Sequence, residues 1–225
     1  MSADEFSWHP LCLSTAIEAS TSAGVKLHGK ELVVWRDAAG HAHVWEDRCP
    51  HRGMRLSFGF VRGDHLACLY HGWQYDTAGQ CRHIPAHPNL DVPATITVPS
   101  YKSREWAGII WTSLDADAAV DEAASSLDVT PVRSIYVELP LDQAVAALSE
   151  HGLGAGTAVK QLEASLSLIK ADDDQLIAAF QPVSDGRTAL HLVICGPALP
   201  EKQRHYALRI EALRHRLEAG VTADV

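Results

Sequence analysis

The sequence is short of the features that mark membrane, secreted and nucleic-acid-binding proteins. No apolar run approaches the roughly 18–20 residues that a bilayer-spanning helix needs. The N-terminus has no basic segment followed by an apolar one, so no secretory signal is expected. Five cysteines are an odd number in a chain of this size, which argues against a disulfide framework. These absences predict a soluble cytoplasmic protein without a membrane partner.

Positive charge is also scarce. The 225 residues carry a formal net charge of −9, and binding nucleic acid without regard to sequence needs a basic surface, so nucleic acid is not an expected partner. Hydrophobic residues make up 47% and charged residues 21%, a composition typical of globular chains. The length predicts one large domain or two small ones.

The first half of the sequence is rich in short strand patterns separated by turn signals. A hairpin is predicted where Leu32–Trp35 and His43–Trp45 flank a turn that ends at Gly40. Such a series favours a small antiparallel β-sandwich or barrel over residues 1–114. Further short strands are predicted at 66–69, 73–75, 94–98 and 108–112.

The second half changes character near residue 115, and the whole chain is assigned to the α+β class. Residues 115–160 are interpreted as an acidic linker with a short helix at 141–149. Residues 161–225 are interpreted as a β-meander followed by a C-terminal helix. The predicted elements of this last region are a half-buried strand at 161–168, a hairpin at 175–194 and a helix with its apolar face on Tyr206, Ile210, Leu213 and Leu217.

The segment that carries chemistry is a repeated pair of a cysteine and a histidine. Cys49 and His51 are followed, after sixteen residues, by Cys68 and His71. Four ligands from two short loops are typical of a metal site, and zinc is one candidate. Zinc fingers usually pair like with like, whereas here each loop offers one thiolate and one imidazole. This arrangement also suits two irons, one bound by two sulfurs and the other by two nitrogens.

These loops resemble the cluster-binding loops of the Rieske non-haem iron oxygenases, a family of ring-hydroxylating dioxygenases, monooxygenases and demethylases. The resemblance covers about residues 8–114. It implies a [2Fe–2S] cluster in which Cys49 and Cys68 bind one iron and His51 and His71 the other. Rieske proteins of cytochrome complexes are less similar, because they carry an additional cysteine in each loop. The segments that carry the resemblance are 8–11, 27–37, 49–53, 68–73, 79–85 and 105–111.

The family's catalytic domain also binds a mononuclear iron through two histidines and a carboxylate. No two histidines after residue 115 have the family's usual His-x₄-His spacing, so mononuclear Fe(II) is not expected in this chain. Residues 180–188 and the helix from Glu201 resemble, more faintly, the end of that domain, as if it were abbreviated. The histidines concerned are His151, His191, His205 and His215.

Three functions follow from this combination of an intact cluster motif and a missing triad. The first is an electron carrier that receives single electrons from a flavin- or ferredoxin-type reductase and passes them to a mononuclear iron on another polypeptide. The second is an oxygenase component that hydroxylates or demethylates an aromatic or N-/O-methyl substrate through a divergent or inter-subunit iron site. The third is a redox sensor or regulatory subunit. A companion oxygenase subunit or a homo-oligomer is therefore an expected partner.

A local excess of arginine around the motif bears on the choice of partner. Between residues 47 and 82 there are five arginines and three aspartates, which gives +2 against −11 for the remainder. A basic face of this kind would attract an acidic ferredoxin or reductase. A mixed-charge, solvated surface is the alternative. Tyr70 and Trp73, beside the motif, either pack the loops or, in the case of Tyr70, donate a hydrogen bond near the cluster.

Overall fold

The structure is a computed structural model that describes residues 8–115 and 127–221. Every strand pair in it is antiparallel, and two α-helices occur, which confirms the predicted α+β class. The described N-terminal half contains β1 (Trp8–Leu13), β2 (Ser22–Leu27), β3 (Lys30–Arg36), β4 (Ala42–Glu46), β5 (Phe60–Arg62), β6 (His65–Ala67), β7 (Gln74–Asp76), β8 (Cys81–His83), β9 (Ser100–Trp106) and β10 (Ile109–Ser113). The described C-terminal half contains β11 (Val129–Val137), α1 (Leu141–His151), β12 (Thr157–Glu163), β13 (Leu166–Ala171), β14 (Asp174–Ser184), β15 (Arg187–Cys195) and α2 (Pro200–Val221).

The N-terminal half is built from two sheets. Six strands pair in the order β1-β10-β9-β4-β3-β2, and four short strands pair in the order β5-β6-β7-β8. The predicted β3–β4 hairpin is confirmed. The buried Asp37 carboxylate shapes its turn, because Oδ1 accepts the backbone N–H of His41 at 2.9 Å and Oδ2 lies 3.1 Å from Nε2 of His43.

The C-terminal half is a five-stranded sheet in the order β11-β15-β14-β13-β12, with both helices packed on one of its faces. Its last four strands form the predicted meander, and the predicted hairpin closes through Asp185 and Gly186. The predicted terminal helix is confirmed as α2. Tyr206, Ile210 and Leu213 are buried in the core beneath it, as their spacing of four and three residues requires.

Three predicted segments differ in the structure. Ala94–Val98 forms no strand, because the chain turns at residues 94 and 95, where the Ile96 N–H donates to the Pro93 carbonyl at 3.1 Å. It contributes a single bridge between Thr97 and Gln80. The predicted strand at 161–168 is divided between β12 and β13. A period-two pattern does not reveal a chain reversal, and the reversal at Ala164 and Ser165 uses neither glycine nor proline.

The predicted linker at 115–160 contains the nine-residue strand β11. Pro131 and a bulge between Pro131 and Arg133 interrupt the strand pattern in the sequence. Proline is tolerated in sheets chiefly on edge strands, and β11 is an edge strand. The acidic stretch 116–126 lies outside the described residues. The three domain boundaries, 1–114, 115–160 and 161–225, stay predictions. Within the part of the chain that the structure describes, no helix is long and apolar enough to cross a membrane.

Backbone and side-chain contacts join the two halves. The tip of the β2–β3 hairpin donates from His28 N–H to the Pro182 carbonyl at 2.7 Å and from Gly29 N–H to the Val183 carbonyl at 2.8 Å. The Gln181 amide donates to the Lys26 carbonyl at 2.7 Å. A shared hydrophobic core lies beside these bonds and includes Trp8, Ile109, Trp111, Ile177, Ala179 and Val193. The two halves therefore pack as one unit.

Truncation of α2 on its buried face should destabilise the fold. Ile210 is 0% exposed, whereas Leu208 on the same helix is 66% exposed. We expect Ile210→Ala to lower the free energy of unfolding by about 3 kcal/mol, because it removes buried methyl groups and leaves a cavity. Leu208→Ala is the matched control and should change it by less than about 0.5 kcal/mol. Equal effects in urea denaturation would contradict this packing.

Candidate metal centre

The predicted metal-binding residues lie in two loops with the same backbone design. The first loop is Cys49–Gly53 and the second is Cys68–Gly72. In each, the glycine N–H donates to the carbonyl of the cysteine, at 2.8 Å in the first loop and 3.0 Å in the second. Both glycines have left-handed backbones, with φ of +72° at Gly53 and +70° at Gly72, which favours glycine at these positions.

The residue that follows the glycine also has the same hydrogen bond in both loops. The Cys49 N–H donates to the Met54 carbonyl at 2.8 Å, and the Cys68 N–H donates to the Trp73 carbonyl at 2.9 Å. The first loop follows β4 and the second connects β6 to β7, so the two sheets of the N-terminal half bring the loops together. One loop design is thus used twice at one place.

The four side chains are arranged by depth. Cys49 and Cys68 are each 3% exposed, whereas His51 is half-buried and His71 is exposed. The two imidazole rings lie with their centroids 4.6 Å apart. The structure therefore places two sulfurs together inside and two imidazoles together at the surface.

The two thiols interact with one another. A hydrogen bond from Cys68 is the main cause that lowers the pKa of Cys49 to about 5, and the Tyr75 hydroxyl and the N–H groups of His51 and Arg52 add to it. The same contact with Cys49, together with burial, raises the pKa of Cys68, although the N–H groups of Tyr70 and His71 act in the opposite direction. Both loops thus direct two backbone N–H groups at their sulfur, and such donors stabilise a thiolate.

Tyr75 is a residue of the candidate site that the sequence analysis missed. Its hydroxyl lies within hydrogen-bond distance of Cys49 Sγ, at 3.1 Å, and the pKa of Tyr75 is raised, first by burial and then by the contact with Cys49. A phenol that stays protonated can donate to a Cys49 thiolate. Tyr70, for which loop packing and a hydrogen bond near the cluster are the two alternatives, is 56% exposed and lies against the His71 ring at 3.9 Å. Its hydroxyl makes no hydrogen bond to a described residue. One signal in the sequence could have identified Tyr75: side chains alternate between the two faces of a strand, and this alternation turns Tyr75 of β7 inward.

Trp73 supports the first loop from the second. Its ring stacks on His51 with a centroid distance of 4.3 Å and an interplanar angle of 6°. Parallel stacking restricts the orientation of an imidazole, so Trp73 has the packing role predicted for it. His51 is consequently held between Trp73 and His71, while His71 faces outward.

The local excess of arginine is smaller than the composition indicates. Arg48 and Arg55 both pair with Glu31, which comes from β3 and lies outside the counted window, and Arg82 pairs with Asp76. Only Arg52 and Arg62, of the five arginines, lack an ion pair to any described residue. A basic face for a partner therefore depends mainly on these two side chains.

No second metal site is visible in residues 8–115 and 127–221, where no three His, Cys, Asp or Glu side chains form a group that could bind one ion. His191 is fully buried, with Nδ1 2.7 Å from Ser134 Oγ and Nε2 3.1 Å from Gln181 Oε1, and burial lowers its pKa to about 4. His205 lies beside Asp172 and His215 beside Glu211. The expectation about mononuclear Fe(II) stays a prediction.

Comparison with known proteins decides the nature of the first half. The family model described as the Rieske [2Fe-2S] domain matches residues 7–102. Residues 7–102 form a Rieske [2Fe–2S] domain. Both loops and Tyr75 lie inside the matched range.

Sequence relatives include proteins of two kinds. The chain is 44% identical over 115 residues to methylxanthine N1-demethylase NdmA of Pseudomonas putida, which covers 48% of this chain and 32% of that protein. It is 28% identical over 236 residues to oxidoreductase NdmD of Pseudomonas putida, which covers 96% of this chain and 40% of that protein. The chain thus spans less than half the length of these curated relatives.

Solved structures share the fold beyond the Rieske domain. NdmA of Pseudomonas putida CBB5 matches with a TM-score of 0.73 and 21% identity, over 94% of this chain and 80% of that one. Dicamba monooxygenase matches with a TM-score of 0.69 and 19% identity, over 96% of this chain and 88% of that one. At these identities the likeness shows the fold alone, and it extends through the C-terminal sheet.

The donor set fits the cluster of a Rieske domain. Such a centre uses two thiolates on one iron and two imidazoles on the other, so no three side chains need to meet at one ion. Here the sulfurs form one pair and the imidazoles another. The buried N–H donors around each sulfur suit thiolate ligands.

The two loop glycines provide a matched test of the Rieske loops. A Cβ on Gly72 would lie 3.1 Å from Cγ of Pro85, whereas one on Gly53 would meet only the flexible Arg48 side chain at 4.0 Å. Both alanine variants incur a left-handed backbone cost of about 1–2 kcal/mol. We expect Gly72→Ala to lose iron faster than Gly53→Ala, as measured by decay of the visible absorbance on heating. The reverse order would contradict the role of Pro85.

The Tyr75 hydrogen bond should set part of the reduction potential of the Rieske domain. Removing a donor to sulfur destabilises the more negative, reduced form, so Tyr75→Phe should lower the potential by roughly 40 mV, the one-electron equivalent of ~1 kcal/mol. Tyr70→Phe is the control and should leave the potential unchanged, because its hydroxyl makes no hydrogen bond within the described residues. Protein-film voltammetry measures both. A shift in the control and none in Tyr75→Phe would contradict the assignment.

Proposed function

We propose that this chain is an electron carrier whose [2Fe–2S] cluster is held by Cys49 and Cys68 on one iron and by His51 and His71 on the other. When bound, such a cluster supplies reversible one-electron chemistry. The chain would carry single electrons from a flavin- or ferredoxin-type reductase to a mononuclear non-haem iron centre on another polypeptide.

The observation that carries this proposal is the depth arrangement of the four side chains. The buried sulfurs keep water from the thiolate side, which preserves their hydrogen bonds in a low dielectric. The exposed His71 presents the imidazole side to a partner. A site that is closed on one side and open on the other suits exchange of electrons with another protein better than chemistry on a bound substrate.

The extent of the sequence matches supports the same choice. The match to oxidoreductase NdmD covers 96% of this chain and therefore includes both halves, whereas the match to the demethylase NdmA covers 48%. The C-terminal half thus shares its sequence pattern with a protein named as an oxidoreductase. This supports a redox role that involves both halves of the chain.

Partners and compartment follow from this role. We infer that the chain works with a reductase and with a companion oxygenase subunit, or as a homo-oligomer in which a neighbour supplies the acceptor iron. We also place it in the cytoplasm. No disulfide joins any of the five cysteines, all of which the structure describes, and four of them are buried, as in a protein kept in a reducing compartment.

An oxygenase component in its own right is the second candidate. It is favoured by the similarity of the fold to NdmA and dicamba monooxygenase, which extends over the C-terminal sheet. It needs an iron site of two histidines and a carboxylate, and the described residues contain no such group. The electron carrier is therefore the stronger proposal.

Metal analysis separates the two candidates. The carrier should contain about two irons and about two acid-labile sulfides per chain, and its reduced form should give the electron paramagnetic resonance signal of a Rieske centre. About three irons per chain would overturn the carrier. Product from a single turnover of the reduced protein with dioxygen and an aromatic or N-methyl compound, in the absence of another iron protein, would favour the oxygenase.

Substitution of a proposed sulfur ligand tests the ligand set. We expect Cys49→Ser to lose most of the iron, because serine replaces a soft thiolate ligand with a hydroxyl. Cys195→Ser, in the C-terminal half, is the matched control and should retain about two irons per chain. Iron counts and visible spectra after purification measure both. Full iron in Cys49→Ser would contradict the assignment.

A further inference from the structure

A cleft of about 520 Å³ opens where the two halves meet. We call it the junction cleft. It lies between β2 and the segment 55–58 of the Rieske domain on one side and the ends of β11, β14 and β15 on the other. Its size falls within the roughly 300–1,000 Å³ of small-molecule sites, which occur preferentially at such junctions.

One side of the junction cleft is formed by β2, which carries a glycine, Gly24, there. A Cβ on Gly24 would lie 3.2 Å from Oγ of Ser57 and 3.5 Å from Oδ2 of Asp47. Lys26, two residues later in the strand, lies on the same face and lines the cleft. Strand β2 thus packs closely against Ser57 at Gly24 and presents the Lys26 side chain to the cleft.

The acidic side chains in the cleft wall are already engaged. Asp47 is buried, and its two oxygens accept the N–H and the hydroxyl of Ser57, both at 2.7 Å. Glu31 accepts from Arg48 at 3.0 Å and from Arg55. These carboxylates are therefore not free to bind a cationic ligand.

Two cationic side chains in the wall remain available. The Lys26 ammonium has no ion-pair or side-chain partner among the described residues. Among the described residues, Arg187 forms an ion pair only with Glu138, at 3.1 Å, and the two side chains are 47% and 67% exposed. Exposed pairs of this kind contribute little, so a ligand carboxylate can compete for Arg187. The available charge in the cleft is positive.

Aromatic side chains complete the walls. Phe58 is 58% exposed and Tyr136 is 45% exposed, and both line the cleft. The Arg187 guanidinium lies over the Tyr136 ring at 5.0 Å, which holds the cation beside an aromatic surface. Large apolar side chains left open in a concave surface favour a ligand with a flat apolar body.

We propose that the junction cleft binds a small organic carboxylate with a flat apolar body. Its carboxylate lies between Lys26 and Arg187, and its apolar body lies against Phe58 and Tyr136. The site is separate from the four proposed cluster ligands, and binding does not require that the chain carry electrons.

Benzoate is the probe for this site, with the full iron-loaded chain and titration by ligand-observed NMR. Benzamide tests the need for the charge, and acetate tests the need for the apolar body. Lys26→Met and Arg187→Met remove the cations one at a time. Lys170→Met, an exposed lysine on β13, is the matched control. Visible spectra and melting temperatures of all variants verify that each remains folded and loaded.

We expect benzoate to bind, benzamide and acetate to bind at least about tenfold more weakly, and each cation variant to weaken benzoate by about tenfold, the scale of one charge-assisted hydrogen bond. The Lys170 variant should bind as the parent does. The proposal is overturned if benzoate fails to bind, if benzamide binds equally well, or if both cation variants leave the affinity unchanged. A variant chain with normal iron content and no benzoate affinity would leave the electron-carrier proposal intact.

Discussion

The closing of two loops at one place is the constraint on which the rest of this molecule depends. Each loop must turn sharply enough for its cysteine carbonyl to accept the N–H four residues later, and each does so through a left-handed glycine, Gly53 or Gly72. Both turns point their N–H groups at sulfur. Two like thiols then share one pocket, where Cys68 donates to Cys49 and lowers the pKa of Cys49, while the backbone N–H groups at each sulfur lower the pKa of both.

The surrounding sheets position the side chains that line that pocket. Strand β7 places Tyr75 in the core against Cys49, and Trp73 from the same stretch of chain stacks on His51. A buried core of large side chains, including Trp35 and Trp45, supports both loops from beneath. The six-stranded sheet therefore fixes the first loop, the four-stranded sheet fixes the second, and the aromatic contacts cross between them.

The sequence predicted those parts whose signals are local. The β3–β4 hairpin, the 175–194 hairpin and the apolar face of α2 depend on turn residues and periodicity, and the four proposed ligands depend on residue type and spacing. The donor to Cys49 depends on a contact 26 residues away, which no local pattern records. Strand β11 was missed because its pairing with β15 is nonlocal and its bulge interrupts the alternation. The effect of Glu31 on the local charge was missed for the same reason.

The bonds from His28 and Gly29 to the end of β14, with the Gln181 bond to Lys26, have a mechanical consequence. A domain on a flexible linker can move between two partner proteins. The N-terminal half of this chain is instead hydrogen-bonded to the C-terminal half through a hairpin tip and shares a hydrophobic core with it, so it has no hinge there. Under the electron-carrier proposal, a partner therefore has to meet the whole two-part body rather than a mobile domain. The shape of the C-terminal sheet consequently limits which proteins can come near the imidazole edge, even though that sheet supplies none of the proposed iron ligands.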